Sequence, residues 1–464
     1  MPTLTFHGGA RAVTGANYLL ETENSKILVD CGLIQGTRHA EKENYKKFPY
    51  DASKIDAVFV THAHIDHTGR LPKLIQEGFK GKIFMTRPTS DFAELMLKDS
   101  QSLMQSEAER EGEQPLYSEE DVVRTFEFVK SVEYGEIIEV NEDIKCRFRD
   151  AGHILGSAII EIWAGGPSTS SGQVKIVFSG DLGNPPVPLL RPTEYIEEAD
   201  YAVVESTYGD RRHEIREERK NLLEDAIEDT AARGGVLMIP SFALERTQEL
   251  LYELNSLVEN DKIPKVSVFI DSPLAIKATD VYKKYPEYYN QKATYLIKSG
   301  DEIFKFPGLK FTYTKDESKA INDAPPPKVI IAGSGMSNGG RILHHERRYL
   351  SDPNSMILFI GYQVEGSLGR RIFDGSKKTR PFTVRILGEP VTVRCRVRAI
   401  GGYSAHADQE ALYDWVESIK QGGKLKKVFA VQGEEGPALA LVQLLRDNLG
   451  VYAEAPMTGD SVEL

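Results

Sequence analysis

Ala57-Val58-Phe59-Val60-Thr61-His62-Ala63-His64-Ile65-Asp66-His67 is the stretch whose reading decides the fold. Its first four residues are apolar and mostly β-branched or aromatic, which predicts a short buried strand. The strand runs straight into H-x-H-x-D-H. On extended backbone, side chains at i and i+2 share a face, so His62 and His64 point the same way. Asp66 and His67, turning into the next segment, can address the same point. With 10 histidines in 464 residues, composition alone would generate this pattern in about 3 chains in 10,000. Neutral imidazole mixed with carboxylate suits zinc, less often manganese or iron, whereas calcium and magnesium call for oxygen alone.

Working outward, other apolar runs end on residues of the same chemistry. Asp30 follows Ile27-Leu28-Val29, Asp181 follows Val177-Phe178-Ser179-Gly180, Glu205 follows Ala202-Val203-Val204, and His153 sits in Ala151-Gly152-His153-Ile154-Leu155-Gly156. Ligands carried on several strand ends can converge at one edge of a sheet. Further strands are predicted at 236–239, 266–270, 329–331, 356–360 and 427–431, and helices at 219–233, 244–259, 409–420 and 438–449. Strands alternating with helices indicate an α/β layered architecture. The run 165–172 reads as a hairpin tip and Pro325-Pro326-Pro327 as a stiff connector. The acidic run from Glu107 to Glu113 reads as a solvated helix face, and no internal repeat is found.

Composition bounds the function. The length fits two or three domains, and no apolar run approaches the roughly 18 residues of a spanning helix, so a membrane role is not expected. The N-terminus has neither a basic nor an apolar leader region, which predicts a cytoplasmic protein. Three scattered cysteines, Cys31, Cys146 and Cys395, argue against both a disulfide framework and a cysteine zinc site. The formal net charge is −12, but residues 209–380 hold 27 basic against 25 acidic side chains and residues 101–145 hold 4 against 13. A polyanion partner therefore stays compatible with the middle segment.

These motifs resemble the metallo-β-lactamase superfamily, and within it the β-CASP branch of nucleases, the group of RNase J and the pre-mRNA 3′-end cleavage endonuclease. Besides the histidine motif, the resemblance rests on Gly15-Ala16-Asn17-Tyr18, Glu205-Ser206-Thr207-Tyr208-Gly209, the run from Pro240 to Leu250, Gly333-Ser334-Gly335-Met336, Gly361-Tyr362-Gln363, Gly366 to Arg371, and Ser404-Ala405-His406-Ala407-Asp408. It implies an α/β fold, a metallo-β-lactamase αββα sandwich with an inserted β-CASP α/β domain. The expected limits are 1–208 and 381–464 for the sandwich and 209–380 for the clamp-like insert, with the active site between them.

Carried over residue by residue, the resemblance implies two zinc ions. His62, His64 and His153 would hold the first, Asp66 and His67 the second, and Asp181 would bridge them, with Asp30 orienting ligands. Glu205 would set the tautomer of His406, which would give a proton to the leaving oxygen; Asp66 belongs to the catalytic set as well. Where RNA-cleaving members carry a further histidine ligand, this chain has Gln432. An amide is a poorer zinc ligand than imidazole, which predicts a weak second site or one taken by manganese or iron. Ser334, Gly335, Met336, Ser404, Arg246 and Arg370 are the expected phosphate and RNA contacts.

The implied activity is ribonuclease action on single-stranded RNA, endonucleolytic, 5′-exonucleolytic or both, leaving 5′-phosphate and 3′-hydroxyl ends. Two alternatives stay open: a non-catalytic RNA-processing scaffold with a degenerate site, and a hydrolase of small esters or DNA. Homodimerisation and the natural RNA target are left open by the sequence.

Overall fold

The computed structural model describes residues 1–165, 173–213, 218–361, 363–364, 366–378 and 381–464. They form two compact units, Met1–Arg212 with His406–Leu464, and His213–Ala405.

In the first unit two seven-stranded sheets carry the site. One runs Ser461–Glu463, Thr3–Gly8, Asn17–Glu21, Lys26–Val29, Ala57–Phe59, Lys82–Thr86, Val129–Val132, and the other Ala453–Glu454, Lys427–Val431, Tyr201–Glu205, Val174–Phe178, Ala158–Ala164, Ile144–Asp150, Ile137–Glu139. Period-two alternation sorts their side chains between layers. Phe6, Phe59, Phe148, Phe178, Val203 and Phe429 point into one shared core between the sheets. Val177, Ala202, Val204, Val428 and Ala430 point the other way, onto Leu412, Trp415 and Val416 of the helix Gln409–Gln421 and Leu441 and Val442 of the helix Glu435–Leu444. Truncating any one of the fully buried phenylalanines would cost about 3–5 kcal/mol. Beyond the first sheet the helix Arg87–Glu111 contributes Leu97 to a third cluster with Ile65 and Val122. The result is the expected αββα layering.

The sequence reading saw only the acidic end of that 25-residue helix. Its mixed polarity hides an apolar stripe of Phe92, Ala93 and Leu97. Of the expected hairpin tip at 165–172, residues 166–172 lie outside the described residues; the flanking Ala164 and Val174 pair antiparallel.

The second unit is built on a six-stranded sheet in the order Leu309–Phe311, Ser267–Ile270, Lys328–Ala332, Val236–Pro240, Met356–Phe359, Arg396–Ala399, every pairing parallel. This moves one expected boundary. Return to the sandwich was placed at residue 381, but the hairpin of Phe382–Ile386 and Glu389–Val393 buries Val384, Ile386 and Val393 in the insert's own core, and Arg396–Ala399 extends the insert's sheet. The chain re-enters the first unit only at His406.

Candidate active site

The strand Ala57–Phe59 lies between Lys26–Val29 and Lys82–Thr86, so whatever follows it leaves the middle of a parallel edge. Thr61 to His64 follow as a loop, and His64 is the residue preceding the short helix Ile65–Thr68, which carries Asp66 and His67. The loop is pinned from beneath by Asp30. This residue adopts a left-handed φ of 60° at the end of its strand, a conformation aspartate tolerates. The turn directs its carboxylate under the loop, where Oδ1 accepts from Thr61 N–H (2.8 Å) and Oδ2 from the Thr61 hydroxyl (2.8 Å) and His67 Nδ1 (2.7 Å). With Nδ1 bound there, His67 presents Nε2 to the site. Gly32 allows the close approach: a Cβ there would overlap the carbonyl oxygen of Asp66.

His62, His64, His153 and Asp181 gather into one cluster, three of the four buried. His62 Nε2 lies 3.0 Å from His64 Nδ1, which lies 3.3 Å from His153 Nε2. Asp181 Oδ2 is 3.4 Å from His62 Nε2 and 3.6 Å from His153 Nε2. A tetrahedral ion with nitrogen and oxygen ligands at about 2.0–2.1 Å sets ligand-to-ligand edges of about 3.3–3.4 Å. These four separations are close to that edge length, and the donor set fits zinc.

Asp181 turns its other oxygen the opposite way. Oδ1 is buried without hydrogen-bond geometry to any partner among the described residues, and it lies 3.4 Å from His67 Nε2. His67 Nε2 is also 3.6 Å from Asp66 Oδ2 and 2.9 Å from Gln432 Nε2. Gln432 is buried, and its Oε1 has no partner among the described residues; a half-turn of the amide would exchange the two atoms. His67, Asp66, Gln432 and Asp181 Oδ1 thus stand together as four side chains that would surround a second cation, more loosely set than the first group.

The electrostatics are those of buried acids and imidazoles acting on one another. Burial pushes the His62 pKa well below the usual imidazole range, with His67 adding to the effect. For His67 burial acts in the same direction, but Asp181, Asp30 and Asp66 outweigh it and hold the ring's pKa well above that range. Burial raises the Asp66 carboxyl to about 6, against the pull of His67. Burial opposes ionisation of Asp181 too, yet His67, His62 and His406 keep its pKa well below the carboxylate range. Several acids crowd where water cannot screen them, an arrangement that a divalent cation relieves.

Glu205, fully buried, accepts from Leu182 N–H at 2.6 Å with Oε1 and contacts His406 Nδ1 at 3.1 Å with Oε2. Burial lifts its pKa, partly offset by His406. A carboxylate at this distance favours the proton on His406 Nδ1. The His406 side chain keeps 27% of its exposure, and Nδ1 is 3.7 Å from Asp181 Oδ2.

Two groups escaped the sequence reading. Thr61 ties the loop to Asp30, and only its place between strand and histidines hints at this. The Tyr18 hydroxyl is buried without a hydrogen-bond partner among the described residues. Burial raises its pKa, with Asp30, Asp181 and Asp66 adding to the rise.

The expected phosphate contacts Ser334, Gly335, Met336, Arg370 and Ser404 belong to the second unit, as does Arg246, for which the structure corrects the expectation. Its guanidinium is buried and paired with Glu245 (2.5 Å) and Glu249 (3.2 Å), so its charge is spent inside the unit. Arg370 is half-buried and reaches Asp374 at 2.7 Å, one helical turn on.

Residues 11–144 match the metallo-beta-lactamase superfamily, 247–372 the Beta-Casp domain, and 390–456 the Zn-dependent metallo-hydrolase RNA specificity domain. Ribonuclease TTHA0252 of Thermus thermophilus is 38% identical over 94% of both chains. An RNase J-like protein of Methanocaldococcus jannaschii is 32% identical over 99% of both. Transcription termination factor FttA of Methanosarcina mazei is 31% identical over 99% of this chain and 71% of its own length. A crystal structure of a protein of unknown function from Enterococcus faecalis aligns over 100% of both chains with a TM-score of 0.57 at 13% identity, a likeness of fold alone. With three family matches and relatives at this identity spanning nearly the whole chain, the protein belongs to the β-CASP branch of the metallo-β-lactamase superfamily of metal-dependent hydrolases.

Proposed function

We propose that the protein is a ribonuclease that hydrolyses phosphodiester bonds of single-stranded RNA at a dinuclear zinc site, leaving 5′-phosphate and 3′-hydroxyl ends. The observation that carries this is the two-sided placement of Asp181, whose Oδ2 completes the His62, His64 and His153 cluster while Oδ1 faces His67. A carboxylate placed in this way would serve both ions, one oxygen to each. The names of the Thermus ribonuclease and the RNase J-like protein support RNA as the substrate.

The metal ions, when bound, lower the pKa of a water molecule and neutralise charge developing on the phosphoryl group. The protein's own residues do the rest. Asp30 holds His67 so that Nε2 faces inward, and Asp66 and Gln432 close the second position. Glu205 keeps His406 oriented, and His406 Nε2, protonated, delivers a proton to the leaving oxygen. In this reading Gln432 makes the second position the weaker one, open to manganese or iron.

Purified protein of measured metal content should cleave 5′-labelled single-stranded RNA in preference to DNA. Asp181→Ala should abolish cleavage, and His406→Ala should reduce it while keeping the metal. Wild-type rates in Asp181→Ala would end the two-metal assignment; a wild type inert on RNA and holding little zinc would favour the scaffold.

A further inference from the structure

In the second unit, the strand Val236–Pro240 and its neighbour Lys328–Ala332 send their chains in opposite directions. The first leads through the helix Arg246–Glu259 to Ser267–Ile270, across Lys328–Ala332. The second leads through the helix Ile342–Tyr349 to Met356–Phe359, across Val236–Pro240. Crossovers of this kind are nearly always right-handed, so the two helices take opposite faces and the loops at the strand ends part. A parallel sheet binds its ligands in such a crevice.

Two features meet there. Phe242, two residues past its strand, is 45% exposed. Its backbone is tied down: the carbonyl accepts from the hydroxyl of Thr247 at 2.8 Å. One side of its ring lies against Gly335, where a Cβ would come within 2.6 Å of the ring. The other feature is the turn after Lys328–Ala332. Ser334 N–H donates to Gly339 O and Ser337 N–H to Ser334 O, while the Ser334 hydroxyl accepts from the amides of Asn338 and Gly339. The N–H groups of Gly335, a buried residue, and of Met336 donate to no acceptor among the described residues. Buried amides are nearly always paired, so the unpaired N–H of buried Gly335, with that of half-buried Met336 next to it, marks a place for an anion.

An exposed aromatic face beside unpaired amides matches one unit of a single-stranded nucleic acid, a flat base next to a phosphate. We propose that Phe242 is a base-stacking platform for single-stranded RNA, set beside Gly335 and Met336, which the family resemblance already marks as phosphate contacts. This inference rests on the ribonuclease reading and adds the residue that grips the strand independently of base identity.

The test uses full-length protein with His406→Ala, which slows cleavage, and a 5′-fluorescein-labelled single-stranded RNA dodecamer. Adding Phe242→Ala should weaken binding by about 5- to 100-fold without moving the thermal midpoint. Phe242→Trp should bind as the parent does, and its indole fluorescence should be quenched on saturation. An oligomer of abasic nucleotides should bind the parent and Phe242→Ala alike. With His406 intact, Phe242→Ala should raise KM more than it lowers kcat. Parent-like affinity of Phe242→Ala, or unquenched Phe242→Trp at saturating RNA, overturns the stacking role while the ribonuclease reading stands. Protein with His406 intact that neither binds nor cleaves RNA overturns both.

Discussion

Asp30→Asn isolates the carboxylate that orients His67. The amide keeps the size of the side chain and tolerates the left-handed backbone at residue 30. Asp30 accepts three hydrogen bonds, from the Thr61 amide, the Thr61 hydroxyl and His67 Nδ1. The asparagine oxygen can keep the bond from Thr61 N–H. Its NH2 then faces the other two groups; the hydroxyl can rotate to accept, but His67 can accept only by giving up its Nδ1 proton. The proton moves to Nε2, the atom 3.4 Å from Asp181 and 3.6 Å from Asp66, and a protonated nitrogen cannot ligate. Hydrogen bonds to a buried charge contribute about 1.5–3 kcal/mol each, so losing one and weakening another should destabilise the metal-free first unit by about 2–3 kcal/mol. Metal affinity at the His67 position should fall about 10- to 100-fold. Zinc titration against a competing chelator gives the affinity, and long-range 1H–15N correlation gives the tautomer. If affinity stays within about twofold of wild type while stability drops, Asp30 only braces the loop and the orienting role is refuted.

Gln432→His puts imidazole beside His67 Nε2, and the backbone φ of 46° at residue 432 is accessible to histidine; metal titration followed by elemental analysis should show a second ion bound at least about tenfold tighter, and an unchanged second affinity would count against Gln432 as the weak link. Gly32→Ala would drive a methyl group into the carbonyl of Asp66, at a cost of about 1–3 kcal/mol; a lower thermal midpoint and metal content are expected, and parent-like values of both would mean the loop is not pinned there. Burial raises the Glu346 carboxyl to about 8, against a hydrogen bond from Ser337. The folded protein therefore keeps that proton while the unfolded chain, titrating near 4.3, has lost it. Stability from this group is fully present below the unfolded value and falls by about 1.4 kcal/mol per pH unit until the folded value is passed. Glu346→Gln should accordingly match wild type near pH 5 and exceed it at pH 8 in thermal unfolding; equal pH profiles would show that the carboxyl is not held neutral.

Much of the candidate site was legible because its residues sit where a strand stops. His62 to His67, Asp30, Asp181 and Glu205 each follow a short, continuous apolar run, and that pattern is local enough to read from one chain. The sequence by itself determined the layered α/β class, the position along the chain of many central strands, and the donor chemistry, since imidazole and carboxylate carry their preference for zinc wherever they stand. It could not separate Arg246 as a free cation from Arg246 locked between Glu245 and Glu249, because a charge is spent or available according to what packs beside it. Nor could it place the insert's end at Ala405, which depends on the strand Arg396–Ala399 finding its partner in Met356–Phe359. Only tertiary structure decided that Asp181 offers one oxygen to each cluster, that Glu205 meets His406 across 201 positions of chain, and that Phe242 rests on Gly335 with a face left open. Each of these is a distance between residues remote in sequence, set by how sheets twist and close, and side-chain identity alone contains no such distance.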